Sequence, residues 1–261
     1  MSALELAATP LAGDPGRPLL LAGPSLGTSA EALWTACAER LADRFHVVGW
    51  DLPGHGRSAP TAVPFGIAGL ARAVIDLAER IRPGEPVWYA GDSIGGAVGL
   101  QLLLDAPGRV GAAVLLCTGA RIGEPAAWHE RAAAVRAGGL GPLADAAPAR
   151  WFSPGFTGRD PAAAAALVAA LRAADPGSYA LACEALAGFD ARPRLAGIAA
   201  PVLAVAGADD AVTPPEGLSL IARGVRRGRL HVLDRAAHQA PAERPGAVAA
   251  LIAEHFGRAA P

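Results

Sequence analysis

Six short runs of the 261-residue chain are almost wholly apolar. They read RPLLLAG (17–23), FHVVGW (45–50), PVWYAG (86–91), VGAAVLLC (110–117), PVLAVAG (201–207) and LHVLD (230–234). Most lack the alternation of a half-exposed strand, so they fit parallel strands covered on both faces. Between them, helical patterns fall near 29–43, 67–82, 95–106, 215–223 and 243–256. This β-α-β alternation predicts an α/β fold with a mostly parallel sheet and helices on both faces.

The alternation breaks once. From about 119 to 195 the pattern is helical throughout, with Gly/Pro breaks, as in EPAAWHERAAAVRAGG, PLADAAPARWF, DPAAAAALVAALRA and GSYALACEALAGF. Residues 1–118 and 196–261 therefore read as the core, and 119–195 as a helical cap insertion. Such an insertion would lie over the carboxyl edge of the sheet, where open α/β sheets bind ligands. The segment ahead of Arg17 shows no clear strand pattern, so the reading places no strand there.

Composition narrows the function classes. Formal charge is −1 with no charge block, which argues against nucleic-acid or membrane-surface partners. All 23 basic residues are arginine, a bias from which no function follows. The three cysteines, Cys37, Cys117 and Cys183, are far apart and odd in number. They suit a reducing, cytoplasmic setting and no metal spacing, with Cys117 a buried, inert thiol in an apolar run. The N-terminus lacks a basic n-region and a continuous apolar stretch, so no signal peptide is expected. The run AAAAALVAAL (162–171) is too short to span a bilayer and reads as a helix.

Candidate chemistry starts at YAGDSIGGAVG (89–99), which holds Gly-x-Ser-x-Gly around Ser93. In a chain with 32 glycines the pentapeptide alone means little. Its context means more, because PVWYAG reads as a strand and GGAVGLQLLLDA as a helix. Ser93 is thus expected on a sharp strand-to-helix turn, its hydroxyl above the sheet. A serine nucleophile needs a base, and the base an orienting acid, in the chain order Ser, Asp/Glu, His. VLAVAGADDAVTPP ends a strand with Asp209 and Asp210, and LHVLDRAAHQAPAERP ends the next with His238. Ile94, after the serine, would offer one N–H to an oxyanion, and Leu26 in AGPSLGTSAEALW a second, with Ser29 capping the following helix.

With GWDLPGHGRS, GDSIGG, GADDAVTPP and AAHQAPAERP in corresponding places, the chain resembles the α/β-hydrolase superfamily. Within it the chain is similar to the 3-oxoadipate enol-lactonases of bacterial aromatic degradation. SLGTS, LLCTGARI, ARWFSPGF and SYALACEA carry that narrower likeness, and the resemblance covers nearly the whole chain. It implies the α/β-hydrolase fold, no cofactor, and the family spacing that selects Asp210 over Asp209. Pro24-Ser25 stands where many superfamily members have His-Gly, as in the lactonases, and His55 belongs to a structural loop. Asp92 departs from the lactonase pattern, where this position is usually apolar. Lying one residue off the nucleophile, it is expected to point away from the reacting carbonyl.

The resemblance also implies a small carboxylated lactone or ester as substrate, opened through an acyl-enzyme. A cation should meet that carboxylate, and Arg131 and Arg150, beside Trp128 and Trp151, are the cap candidates, with Ser25 near the oxyanion loop. Motifs shared across the superfamily also fit a small-ester esterase, a carbon–carbon bond hydrolase or a perhydrolase. A non-catalytic ligand-binding relative is the reading from another class.

Overall fold

A computed structural model describes residues 4–259. Seven strands form one sheet: β1 (Ala8–Ala12), β2 (Leu19–Gly23), β3 (His46–Trp50), β4 (Val87–Asp92), β5 (Val110–Leu116), β6 (Val202–Gly207) and β7 (Gly228–Leu233). Their order across the sheet is β1-β3-β2-β4-β5-β6-β7, and only β1 runs antiparallel to its neighbour. The residues of β2, β3 and β6 are buried throughout, as runs covered on both faces require.

Two strands differ from the sequence reading. ATPLA forms β1, where no strand was expected. It is an edge strand with an irregular register between Pro10 and Ala12, and only Thr9 in it is buried, so neither periodicity nor an apolar run marks it. β7 is the opposite edge, and its residues 229–232 are exposed rather than covered on both sides.

Helices α1 (Ala30–Ala38), α2 (Ile67–Ile81) and α3 (Ile94–Asp105) join the first strands. Ser29 caps α1, its hydroxyl accepting from the N–H of Ala32 at 3.1 Å. Helix α2 buries Ile67, Leu70, Ala71, Val74, Leu77 and Ala78, one stripe at helical spacing. The crossover from β2 to β3 runs toward one edge, while those from β3 to β4 and β4 to β5 run toward the other. Right-handed crossovers then put α1 on one face and α2 and α3 on the opposite one. The reversal leaves the carboxyl ends of β2 and β4 side by side, the place where such sheets bind ligands.

Between β5 and β6 the chain is helical: α4 (Pro125–Gly138), α5 (Gly141–Trp151), α6 (Phe156–Arg159), α7 (Pro161–Ala173) and α8 (Pro176–Ala187). The alanine run lies within α7, capped by Asp160, whose carboxylate accepts from Ala163 N–H. Helices α9 (Pro215–Gly224), α10 (Ala240–Glu243) and α11 (Pro245–Ala259) complete the chain, with α11 packing against α1 and β5. Among the described residues no helix is long and apolar enough to cross a membrane.

Candidate active site

No loop separates β4 from α3; Ser93 alone makes the turn. Its φ of 53° and ψ of −117° lie where side chains are rarely found. That conformation costs on the order of 1–3 kcal/mol and persists only where neighbours enforce it. They do so here: Ser93 N–H donates to Leu116 C=O at 2.9 Å, and Thr118 Oγ1 donates to Ser93 C=O at 2.6 Å. Close backbone approach needs glycine at Gly91 and Gly95. A Cβ on Gly91 would meet the Gly95 carbonyl, and one on Gly95 would lie 2.7 Å from the Pro24 carbonyl oxygen.

Three side chains from three strand ends converge on this turn. Ser93 Oγ lies 3.0 Å from His238 Nε2, and His238 Nδ1 lies 2.9 Å from Asp210 Oδ2. All three residues are buried. Asp210 also accepts from Val212 N–H at 2.8 Å, from Thr213 N–H at 3.0 Å, and from Thr213 Oγ1 at 2.6 Å. Burial alone would raise the Asp210 carboxyl. The neighbouring His238 and the hydrogen bonds from His238 and Thr213 outweigh it and leave Asp210 below the ordinary 3.8. Asp209, beside it, is exposed. A hydroxyl, an imidazole and a fixed carboxylate in this order can pass the serine proton to the ring as the oxygen attacks a carbonyl.

Leu26 is brought to the turn by the hydrogen bond of Gly95 N–H to Pro24 C=O at 2.9 Å. Ile94 opens α3, so its N–H has no carbonyl four residues back within that helix. Ser25 is buried in the same loop; its N–H donates to Thr28 Oγ1, and its hydroxyl accepts from Gln239 Nε2 at 3.3 Å.

In the helical segment between β5 and β6, Trp128, Arg131 and Arg150 line one cavity of about 180 Å³ together with Val212, two residues after Asp210. The Arg131 guanidinium stacks 4.9 Å over the Trp128 ring, whose N–H donates to Ile122 C=O at 2.5 Å. Among the described residues neither Arg131 nor Arg150 forms a salt bridge. Desolvation first, and then the charge of Arg131, pull Arg150 below the usual guanidinium value. Trp151 does not line this cavity; its carbonyl accepts from His238 N–H at 2.9 Å.

Residues that the sequence reading left out complete the site. Thr213 sits in the quoted GADDAVTPP, yet a threonine there carries no chemical signature of its own. Gln239 and Glu243 share the histidine loop and are buried. His55 is buried too, its Nδ1 lying 2.9 Å from Pro53 C=O, in a loop remote from the serine turn in its bonding.

Residues 27–245 match the Hydrolase_4 family model, described as serine aminopeptidase, S33. The chain belongs to the α/β-hydrolase family. This hydrolase is 36% identical over 235 residues to 3-oxoadipate enol-lactonase 2 of Acinetobacter baylyi, across 90% of this chain and 87% of that protein. It is 31% identical over 212 residues to a pimeloyl-[acyl-carrier protein] methyl ester esterase of Neisseria meningitidis, across 76% and 78% of the two chains. The crystal structure of the enol-lactonase from Burkholderia xenovorans LB400 superposes with a TM-score of 0.91 at 29% identity, covering 98% of this α/β-hydrolase and 99% of that chain. These relatives support an esterase- or lactonase-type hydrolase.

Proposed function

We propose that the protein is a serine hydrolase that opens a small enol-lactone bearing a free carboxylate, converting 3-oxoadipate enol-lactone to 3-oxoadipate. The observation that carries this reading is the pair Arg131 and Arg150, without a carboxylate partner among the described residues, on a cavity beside the loop of Asp210. Two neighbouring guanidiniums repel, and an anionic ligand between them would relieve that. The likeness to two enol-lactonases supports the same substrate class.

In this mechanism Ser93 Oγ attacks the lactone carbonyl while His238 Nε2 takes its proton. Asp210 holds the ring tautomer and stabilises the imidazolium. The N–H groups of Leu26 and Ile94 receive the oxyanion, each contributing about 3 kcal/mol to the transition state. The ring oxygen departs as an enol and takes the proton from His238. Relaxation of that enol to a ketone makes ring opening hard to reverse. His238 then activates water, which releases the acyl group as 3-oxoadipate and restores Ser93.

The test is loss of the lactone absorbance on addition of enzyme, together with covalent labelling by a fluorophosphonate that disappears in Ser93→Ala. Folded wild-type protein that does not label would sink the mechanism. Turnover of simple esters but not of the lactone would replace the substrate with a neutral ester, as the likeness to a methyl ester esterase allows. Binding without turnover of any ester would point to a ligand-binding protein.

A further inference from the structure

We infer that Glu243 is a positioning residue that ties the cap to His238, so that the cap holds the imidazole in register with Ser93. The inference rests on the reading that His238 serves Ser93. Glu243 ends the short helix α10 and is only 6% exposed. One of its carboxylate oxygens accepts from Ala237 N–H at 2.9 Å, the other from Ser153 N–H at 2.7 Å. Ala237 immediately precedes His238; Ser153 lies in the cap, between α5 and α6. The carboxylate is thus a bridge between two segments far apart in the chain.

Further contacts make the bridge a closed clamp. His238 N–H donates to Trp151 C=O at 2.9 Å, and Ser153 Oγ donates to Arg235 C=O at 3.3 Å. Backbone strain at the start of the loop, where Arg235 has a φ of 54°, shows that its path is imposed from outside. From the sheet side the loop is met by Cys117, whose thiol donates to Ala237 C=O at 3.2 Å, and by Asp209 N–H, which donates to Ala236 C=O at 2.9 Å. Among the described residues the N–H of His238 donates to the cap carbonyl of Trp151, and Glu243 ties Ala237, next to His238, to Ser153, two residues beyond Trp151. Two N–H groups facing one side chain need two acceptors, which a carboxylate has and an amide does not.

The arrangement has a consequence for catalysis. Arg150, on the proposed carboxylate cavity, adjoins Trp151, whose carbonyl holds His238. A ligand seated on Arg150 would steady the same segment that steadies the base. Loosening the clamp should therefore reduce the rate of the chemical step and leave ground-state binding nearly intact.

The experiment compares wild type, Glu243→Gln and Glu243→Asp well below their melting temperatures. Probes are a fluorophosphonate and p-nitrophenyl acetate, neither of which requires the lactone assignment. In Glu243→Gln the labelling rate and kcat are expected to fall about ten- to a hundredfold, with KM changed less than about threefold. Glu243→Asp keeps both oxygens on a shorter stem and should fall in between. The downfield proton resonance of the His238 Nδ1–H to Asp210 bond should broaden in Glu243→Gln. A folded variant that labels and turns over at wild-type rates, with only its melting temperature lowered, would make Glu243 merely structural and overturn the inference. Wild-type protein that neither labels nor hydrolyses would instead remove the Ser93–His238 reading, and this inference with it.

Discussion

Asp92 is fully buried next to Ser93, and neither of its carboxyl oxygens has a hydrogen-bond partner among the described residues. Burial, and then the charges of Asp210 and Glu243, push its carboxyl well above the ordinary 3.8. The folded protein therefore keeps Asp92 protonated over a pH range in which the unfolded chain has released the proton. Unfolding then sheds a proton, so stability falls as pH rises from the ordinary carboxylate value to the folded one. The slope is about 1.4 kcal/mol per pH unit, whatever the size of the shift, as long as pH stays inside that window. Inside that window each pH unit should cost the wild type about 1.4 kcal/mol that Asp92→Asn does not lose. Asp210 cannot mimic this, because its depressed value confines its own linkage to pH below the ordinary range. The assay is urea denaturation of both proteins at several pH values, plotting the difference in unfolding free energy. A difference that rises with pH at this slope is expected, with catalytic activity retained in Asp92→Asn. A difference independent of pH would refute the claim that Asp92 is neutral in the fold.

Other predictions follow from the same geometry. Asp210→Asn should lower kcat by about 10⁴, through the wrong imidazole tautomer, while Asp209→Asn leaves it unchanged in the same esterase assay. Arg131→Ala and Arg150→Ala should each raise KM for a carboxylated substrate at least about tenfold, a loss of about 1.4 kcal/mol, and leave KM for a neutral ester unaltered in steady-state kinetics. Gly95→Ala should destabilise the fold by about 1–3 kcal/mol in thermal melts and slow fluorophosphonate labelling, because its methyl would press on the backbone of Gly23 and Pro24.

What the sequence disclosed depended on how local the determining physics was. The central strands were legible because burial on both faces demands unbroken apolar runs, and PVLAVAG could hardly be anything else. Asp210 over Asp209 came from the family resemblance, and the structure gives the physical counterpart: one carboxylate faces His238 while the other is exposed. β1 escaped because an edge strand containing Pro10 needs neither alternation nor a continuous apolar run. Thr213 escaped because a threonine beside its partner Asp210 carries no chemical signature, and Glu243 because it reaches Ser153 at a chain separation that no local pattern encodes. Trp151 was read as a substrate-lining ring, but its connection to the site runs through its backbone carbonyl, which any residue carries.

The presence of a buried acid at position 92 also has a physical account. Asp92 is buried near two further buried acids, Asp210 and Glu243, whose charges add to burial in raising its carboxyl. The environments separate them. Asp210 has His238, the Thr213 hydroxyl and two backbone amides, which favour its charged form. Among the described residues Asp92 has no hydrogen-bond donor and no salt-bridge partner, and burial holds its carboxyl above the ordinary value. Carboxyl groups of the same chemistry are thereby driven to opposite states by their donors, the condition under which one can orient a base while another stays uncharged. An ionised Asp92 would add negative charge near the carbonyl oxygen that becomes the oxyanion in the proposed attack by Ser93, and would oppose that transition state. A neutral Asp92 does not, so an acid at this position is compatible with the chemistry proposed for Ser93.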